Sequence, residues 1–144
     1  MSVERNRATG LRFQEAMNRH DLDAVAACLA EDFHYHGSDG KGPRAEDRKA
    51  YLAYTAGLFH AFPDLSFDML EVVAEGDLAA TRTRMTGTHR GEIKGLPASG
   101  RELDLEFANV MRFDSNGLIL EHRDYLDALE LMRQLGAIPA AAPS

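Results

Sequence analysis

The chain has 144 residues and 44% hydrophobic residues, and its 16 Lys and Arg against 23 Asp and Glu leave a formal net charge of −7. This size and composition are typical of one globular domain and exclude wholesale disorder, while the acidic balance argues against binding to nucleic acid or to anionic membranes. The single cysteine, Cys28, excludes an intrachain disulfide, and the N-terminus lacks the apolar segment of a signal peptide. We therefore expect one cytoplasmic domain over residues 1–138 and a frayed tail over 139–144.

The first half of the chain is predicted to be mainly helical, because its apolar residues recur with the spacing of one helix face. Asp21 is suited to cap the second helix, and Pro63 ends the third. Between these helices, a short run of aromatic residues indicates a strand. The predicted elements are helices over 3–20, 21–29 and about 44–62, a strand over 33–36, and a Gly-rich loop over 37–43.

The second half is predicted to form long antiparallel strands, since apolar and polar residues alternate between turn-like connections. The tetrapeptide Asp114–Gly117 is a strong hairpin turn, and Gly136 is suited to end a terminal helix. Helices followed by such strands indicate an α+β fold, a curved sheet wrapped round the helices as a cone-shaped barrel with an internal pocket. The predicted elements are strands over 65–75, 78–89, 101–113 and 118–126 and a helix over 127–135.

Polar residues interrupt the apolar faces of the last two predicted strands. Asn109 stands on a face otherwise made of Leu, Phe and Met, and counting outward from the hairpin turn indicates that it can approach Asp124 in the interior of the sheet. A carboxylate on an apolar face costs free energy unless it is hydrogen-bonded, and such groups are candidate general acids or bases. The structural alternatives are that Asp124 caps the terminal helix or pairs with a buried arginine. The residues predicted to share its face are His122, Leu118, Leu120 and Leu126.

The residues around Asp124 resemble the C-terminal signature of the SnoaL-like polyketide cyclases. This resemblance implies an NTF2-like α+β barrel, a homodimer or homotetramer, and no metal or cofactor. The stretches that carry it are His122–Asp127, Leu131–Gly136, Gly87–His89, Gly95–Arg101 and Asn109–Arg112.

The resemblance also implies a reaction, an intramolecular aldol condensation that closes a ring of an anthracycline-precursor-like polyketide. Asp124 takes the place of the family's acid/base, which removes a proton from a carbon flanked by carbonyls. The family has a histidine beside this aspartate, in the preceding strand, where this chain has Asn109. An asparagine can donate a hydrogen bond to a carbonyl oxygen but cannot carry charge. We therefore predict Asp124 as the acid/base, with Asn109 and His122 as polar assistants.

A small hydrophobic or polycyclic substrate requires an apolar pocket, and polarisable methionines and aromatic rings suit a flat ligand. Met17 and Tyr54 match positions that shape the pocket of the cyclases. Phe33 and Tyr35, in contrast, are expected to be core residues. The predicted lining consists of Met17, Tyr54, Phe59, Met85, Phe107 and Met111.

Two other functions remain open. The closing element also resembles that of the limonene-1,2-epoxide hydrolases, in which an aspartate activates water beside an arginine and a second aspartate. Arg82 would supply the arginine, but Arg84 occupies the place of the second aspartate. A non-catalytic binding domain would instead have a shallow cavity, with Asp124 tied to an arginine such as Arg123.

His34 and His36 are separated by one residue on a predicted strand, a spacing that metal sites use. No third ligand is evident near them in the sequence. We therefore predict no metal site and assign both histidines to the pocket mouth or to packing on the sheet.

Overall fold

The computed structural model of the protein describes residues 2–37 and 45–138, so the tail at 139–144 and most of the predicted Gly-rich loop lie outside the described residues. In the described part, no helix is long and apolar enough to cross a membrane. The elements are α1 (Val3–Asn18), α2 (Leu22–Ala27), β1 (Leu29–His36), β2 (Ala45–Asp47), α3 (Arg48–Ala61), β3 (Ser66–Glu75), β4 (Leu78–Thr88), β5 (Glu102–Phe113), β6 (Ile119–Tyr125) and α4 (Ala128–Gln134).

The helices start at side chains that accept hydrogen bonds from their free backbone amides. Asp21 caps α2 as predicted, and Asp127 caps α4, which excludes that role for Asp124. Asp47 caps α3, so this helix starts at Arg48, four residues later than predicted. The reason is that the three residues of β2 pair with β1 instead of joining the helix.

The six strands form one mixed sheet in the order β2-β1-β6-β5-β4-β3. Neighbouring strands are antiparallel except for β1 and β6, which pair in parallel. The predicted α+β class and the curved sheet around the helices are confirmed, but the sheet is open, with β2 and β3 as its edges. The cone is therefore closed by helices and not by strand pairing, because α1 packs against β3 and α3 packs against β1.

The register between β5 and β6 brings Asn109 and Asp124 together, as predicted, and places them directly opposite each other. Nearer the turn, the register shifts between Arg112 and Phe113, which pairs with Ile119. This bulge adds one residue to β6 and reverses the alternation of its side chains. Ile119 is consequently fully buried, and the prediction that Leu118 and Leu120 share the face of Asp124 is wrong.

The core lies between the helices and the concave face of the sheet. Phe13 and Met17 of α1 pack there with Phe113 of β5, and each is at most 5% exposed. Phe33 is a core residue, as predicted. The buried Thr9 hydroxyl of α1 donates to a backbone carbonyl of the hairpin turn at 2.7 Å, which anchors the helix across the sheet. This packing holds the inner faces of β5 and β6 against the helices.

Two glycines near α3 should respond oppositely to replacement by alanine. A Cβ on Gly91 would lie 2.6 Å from the His60 carbonyl oxygen, and the Gly91 amide donates to Ala61, so the loop after β4 must move. We expect Gly91→Ala to lower the free energy of unfolding by about 1–3 kcal/mol through overpacking. Gly57 is exposed within α3, and a Cβ added to it would have no neighbouring atom within 4 Å, so Gly57→Ala should raise this free energy by about 0.5–1 kcal/mol. Urea denaturation measures the free energy of unfolding of both variants. Equal changes in the two variants would contradict the predicted difference between the two glycines.

Candidate functional site

A cavity of about 730 Å³ lies between the concave face of the sheet, α1, α3, α4 and the loop after β4. Its volume is in the range of pockets that enclose a small organic ligand. Its wall is mainly apolar. Four residues of the predicted lining contribute to this wall: Met17, Tyr54, Met85 and Phe107.

The other two residues of the predicted lining, Phe59 and Met111, lie in the core outside the cavity wall. Phe59 projects from α3 towards the end of α1, where its ring stacks on His20 with the centroids 4.2 Å apart. Met111 lies two residues beyond Asn109 on β5, where its methyl group packs close to Gly10 of α1. Both residues have the strand or helix spacing of the lining, but Met111 packs against α1 and Phe59 packs against His20, just beyond the end of α1.

Polar side chains converge at one end of the cavity. Tyr35, Asn109, His122 and Asp124 all line it, and they project from the adjacent strands β1, β6 and β5. The parallel register places Tyr35 beside His122, and the antiparallel register places Asn109 opposite Asp124. The hairpin of β5 and β6 and the sequence-distant strand β1 therefore place one polar cluster at an apolar pocket.

Both carboxylate oxygens of Asp124 accept hydrogen bonds from buried side chains. The Tyr35 hydroxyl lies 2.7 Å from Oδ2, and Nε2 of His122 lies 2.8 Å from Oδ1. The Asp124 side chain keeps 16% of its surface exposed, against 4% for His122. Neighbouring Arg123 bonds to Glu121, so the structure does not place it as the arginine partner considered for Asp124. The carboxylate is thus held in place and still borders the cavity.

The sequence predicts a plain core residue at Tyr35, and the bond from Tyr35 to Asp124 is the main feature that the sequence analysis missed. Burial raises the pKa of the Tyr35 phenol, and the nearby Asp124 charge raises it further. The phenol therefore stays protonated and can donate to the carboxylate. One signal was available, because a buried tyrosine hydroxyl usually has a hydrogen-bond partner. Its identity depends on the pairing of β1 with β6, residues 89 apart in sequence.

The His122 ring is oriented by its aromatic surroundings as well as by Asp124. Its centroid lies 5.5 Å from that of Phe13, 5.7 Å from that of Tyr35 and 6.1 Å from that of Tyr51. Nδ1 is buried and has no hydrogen-bond partner within the described part of the chain. Since a carboxylate only accepts, the His122 proton is assigned to Nε2, which donates to Asp124.

The Asn109 amide is oriented by two threonines that the sequence analysis did not single out. Thr81 Oγ1 donates to Asn109 Oδ1 at 2.9 Å, and Thr83 Oγ1 lies 2.9 Å from Thr81 Oγ1. Because the Thr81 hydroxyl has one hydrogen, which it gives to Asn109, the hydrogen between the two hydroxyls comes from Thr83. With its oxygen engaged by Thr81, Asn109 has its NH₂ group left to donate elsewhere at the cavity wall.

Arg82 and Arg84, the residues weighed for the epoxide hydrolase arrangement, lie on the opposite face of the sheet. Arg82 pairs with Glu71 and Glu106 at 2.7 and 3.0 Å, and Arg84 pairs with Asp104 at 2.7 Å. Strand alternation turns only Thr83, between them, towards the cavity. The arginine required by that arrangement is therefore not at the site.

Comparison with known protein families identifies a family whose profile covers most of the chain. The profile of the SnoaL-like polyketide cyclase family matches residues 8–135. Two relatives, the aklanonic acid methyl ester cyclases DnrD of Streptomyces peucetius and DauD of Streptomyces sp. (strain C5), are each 29% identical over 126 residues. These residues are 87% of this chain, 86% of DnrD and 78% of DauD.

Solved structures of similar proteins share the architecture. TsrD from Streptomyces laurentii is 28% identical with a TM-score of 0.83, covering 96% of this chain and 99% of that one. AclR, a candidate hydroxylase from Streptomyces galilaeus, is 26% identical with a TM-score of 0.86, covering 98% of this chain and 87% of that one. The expected NTF2-like fold is thereby confirmed.

Replacing Tyr35 by phenylalanine should test the bond to Asp124 without creating a large cavity. We expect Tyr35→Phe to lower the free energy of unfolding by about 1.5–3 kcal/mol, the usual contribution of a hydrogen bond to a charged group. Urea denaturation measures the loss. Tyr125→Phe is the matched control, because this side chain is 54% exposed, and its effect should stay within about 0.5 kcal/mol. Equal stability of Tyr35→Phe and the unaltered protein would refute the bond.

Proposed function

The chain belongs to the SnoaL-like polyketide cyclases, and we propose that it closes a ring of a polyketide-derived substrate by an intramolecular aldol addition. One observation carries this proposal: the Asp124 carboxylate lies at the polar end of an apolar cavity, held by Tyr35 and His122. A fixed carboxylate that still borders the cavity can reach a proton of a bound substrate.

In the proposed reaction, Asp124 removes a proton from a substrate carbon flanked by carbonyl groups. The resulting enolate attacks a second carbonyl carbon of the same molecule, which forms the new carbon–carbon bond and leaves an alkoxide. Asp124 then returns its proton to the alkoxide, so the product is an isomer of the substrate. No water, metal or redox partner is consumed in these steps.

Asn109 is proposed to stabilise the negative charge that develops during proton removal. Its amide NH₂ group can donate to the carbonyl oxygen that becomes the enolate oxygen, because Thr81 already engages the amide oxygen. A neutral donor here differs from the histidine that the resemblance implies for other cyclases. The charge is then stabilised by a hydrogen bond alone, and proton transfer rests on Asp124.

Tyr35 and His122 are proposed as positioning residues for the carboxylate. Their two hydrogen bonds hold the plane of the carboxylate, which borders the cavity where the substrate would bind. Such preorganisation removes the reorganisation that a free carboxylate would need in the transition state.

The apolar wall is proposed to select a small hydrophobic or polycyclic carbonyl compound. Aromatic and methionine side chains such as Phe107 and Met85 can contact flat rings, and they limit the water that could quench an enolate. DnrD and DauD are named for aklanonic acid methyl ester, so this compound is the first substrate to assay. A homodimer or homotetramer and a cytoplasmic location stay predictions.

Product mass separates this proposal from its alternatives, since one fold can carry several chemistries. Aldol closure leaves the mass of the substrate unchanged. Hydrolysis adds one water, and hydroxylation adds one oxygen atom. Binding without any product supports the non-catalytic alternative, and a product that incorporates labelled oxygen from water contradicts the cyclase proposal.

Asp124→Asn should abolish most of the turnover while leaving the fold in place. The amide keeps the shape of the side chain but cannot take up the proton, so we expect kcat to fall by at least about 10²-fold. Product formation followed by chromatography and mass spectrometry measures it, and circular dichroism checks the fold. Asp68→Asn, the same change at an exposed position on β3, should leave kcat unchanged. A fully active Asp124→Asn enzyme would refute the acid/base assignment.

Thr81→Val should reveal whether the orientation of Asn109 matters for the reaction. Valine has the shape of threonine but no hydroxyl, so the Asn109 amide loses the donor that sets its orientation. We expect kcat to fall by about tenfold with little change in KM, because the hydrogen bond to the substrate oxygen strengthens in the transition state. Thr81→Ser should restore most of kcat. Equal kcat values for all three proteins would show that this contact is only structural.

A further inference from the structure

His34 and His36 of β1 and Glu121 of β6 form a cluster on the outer face of the sheet. Strand alternation turns these side chains away from the cavity, whereas Tyr35 and His122 between them point into it. The parallel register places His34 beside Glu121. Glu121 is the third ligand of this cluster, and the sequence analysis did not find it because it lies 85 positions after His36 along the chain.

The three side chains offer ligand atoms that face one another. One nitrogen of each histidine and one carboxylate oxygen all lie within 4.8 Å of one another. Nε2 of His34 is 3.4 Å from Oε2 of Glu121. Nδ1 of His36 is buried, and no hydrogen-bond partner for it exists in the described ranges 2–37 and 45–138. Imidazole nitrogen and carboxylate oxygen are among the ligands that Zn²⁺ uses in proteins.

The charges around Glu121 decide how strongly a cation could bind. Arg123 donates to Oε1 of Glu121, and Arg112 lies 4.0 Å from Oε2. The hydrogen bond from Arg123 holds the Glu121 carboxylate and leaves Oε2 facing His34. Metal ligands in proteins are often oriented by such hydrogen bonds from residues outside the metal site. Both guanidinium groups also repel a cation, so affinity should be lower than in a buried structural zinc site.

We propose that His34, His36 and Glu121 bind one divalent transition-metal ion, best matched by Zn²⁺, and that this ion clamps β1 to β6. Three protein ligands leave the remaining coordination position to water. The clamp would lie behind the strands that carry Tyr35 and Asp124, so it would stabilise the parallel strand pair on which their hydrogen bond depends. The proposal concerns binding and stability and is independent of the proposed reaction.

Zinc binding is tested on the full chain without an affinity tag, after dialysis against EDTA. Calorimetric titration with Zn²⁺ alone should show one saturable site per chain, and the thermal midpoint should rise as Zn²⁺ is added, because an ion that binds the folded state stabilises it. His34→Gln and His36→Gln should each weaken binding by at least about tenfold, since each removes one of three ligands. His60→Gln, at an exposed histidine of α3, is the matched control and should leave binding unchanged.

Titration with Co²⁺ gives a readout of coordination that is separate from affinity. A visible absorption band in the unaltered protein that is lost in His36→Gln supports the site, provided that circular dichroism shows the variant to be folded. Asp124→Asn should keep both the band and the Zn²⁺ affinity, because this residue lies on the other face. Three results would each overturn the proposal. The first is the absence of saturable Zn²⁺ binding, and the second is that both histidine variants, His34→Gln and His36→Gln, bind Zn²⁺ as well as the unaltered protein. The third is loss of Zn²⁺ binding in Asp124→Asn.

Discussion

A carboxylate on the apolar face of a sheet is the constraint on which the organisation of the site depends. Asp124 projects into a wall of Leu, Met and Phe side chains, where a charge without hydrogen bonds would cost several kcal/mol. The chain meets this cost with two donors, Tyr35 and His122, each within 2.8 Å of a carboxylate oxygen. Tyr35 is available only because β1 pairs in parallel with β6. The parallel strand pair is therefore as much a part of the site as the carboxylate is.

The same strands serve different purposes on their two faces. On β6, His122 and Asp124 face the cavity, while Glu121 and Arg123 form ion pairs on the outer face. On β4, Thr83 lines the cavity between two outward-facing arginines that pair with acidic residues of neighbouring strands. Several acidic residues are thus paired locally with arginines on the outer face of the sheet. Asp124 differs from these acidic residues because it lies at the cavity, where a phenol and an imidazole donate hydrogen bonds to it.

Membership of the cyclase family and the local geometry support different parts of the functional proposal. The family match covers residues 8–135 and supports a polyketide-like substrate. The geometry supports the roles of particular groups, a carboxylate to move a proton and an amide to stabilise an oxygen anion. Asn109 makes this site distinct from one with a histidine at the same position, because Thr81 and Thr83 orient a neutral donor there. The threonine pair is best understood as the support that an asparagine needs in order to present its NH₂ group.

By itself, the sequence determined the α+β class, the main helices and strands, the proximity of Asn109 and Asp124 on paired strands, and the family resemblance. These features follow from periodicity and turn chemistry, which are local, and from a motif that is contiguous. Only the tertiary structure decided the partners of Asp124, the Thr81–Asn109 contact, the placement of Phe59 and Met111 outside the cavity, and the meeting of His34 and His36 with Glu121. Each of these depends on which strands pair and in what register, or on what a helix covers. Strand pairing, register and helix cover are set by packing between segments that are distant in sequence. A one-residue bulge such as that in β6 also exchanges the inner and outer faces of a strand, and it leaves no local signal in the sequence.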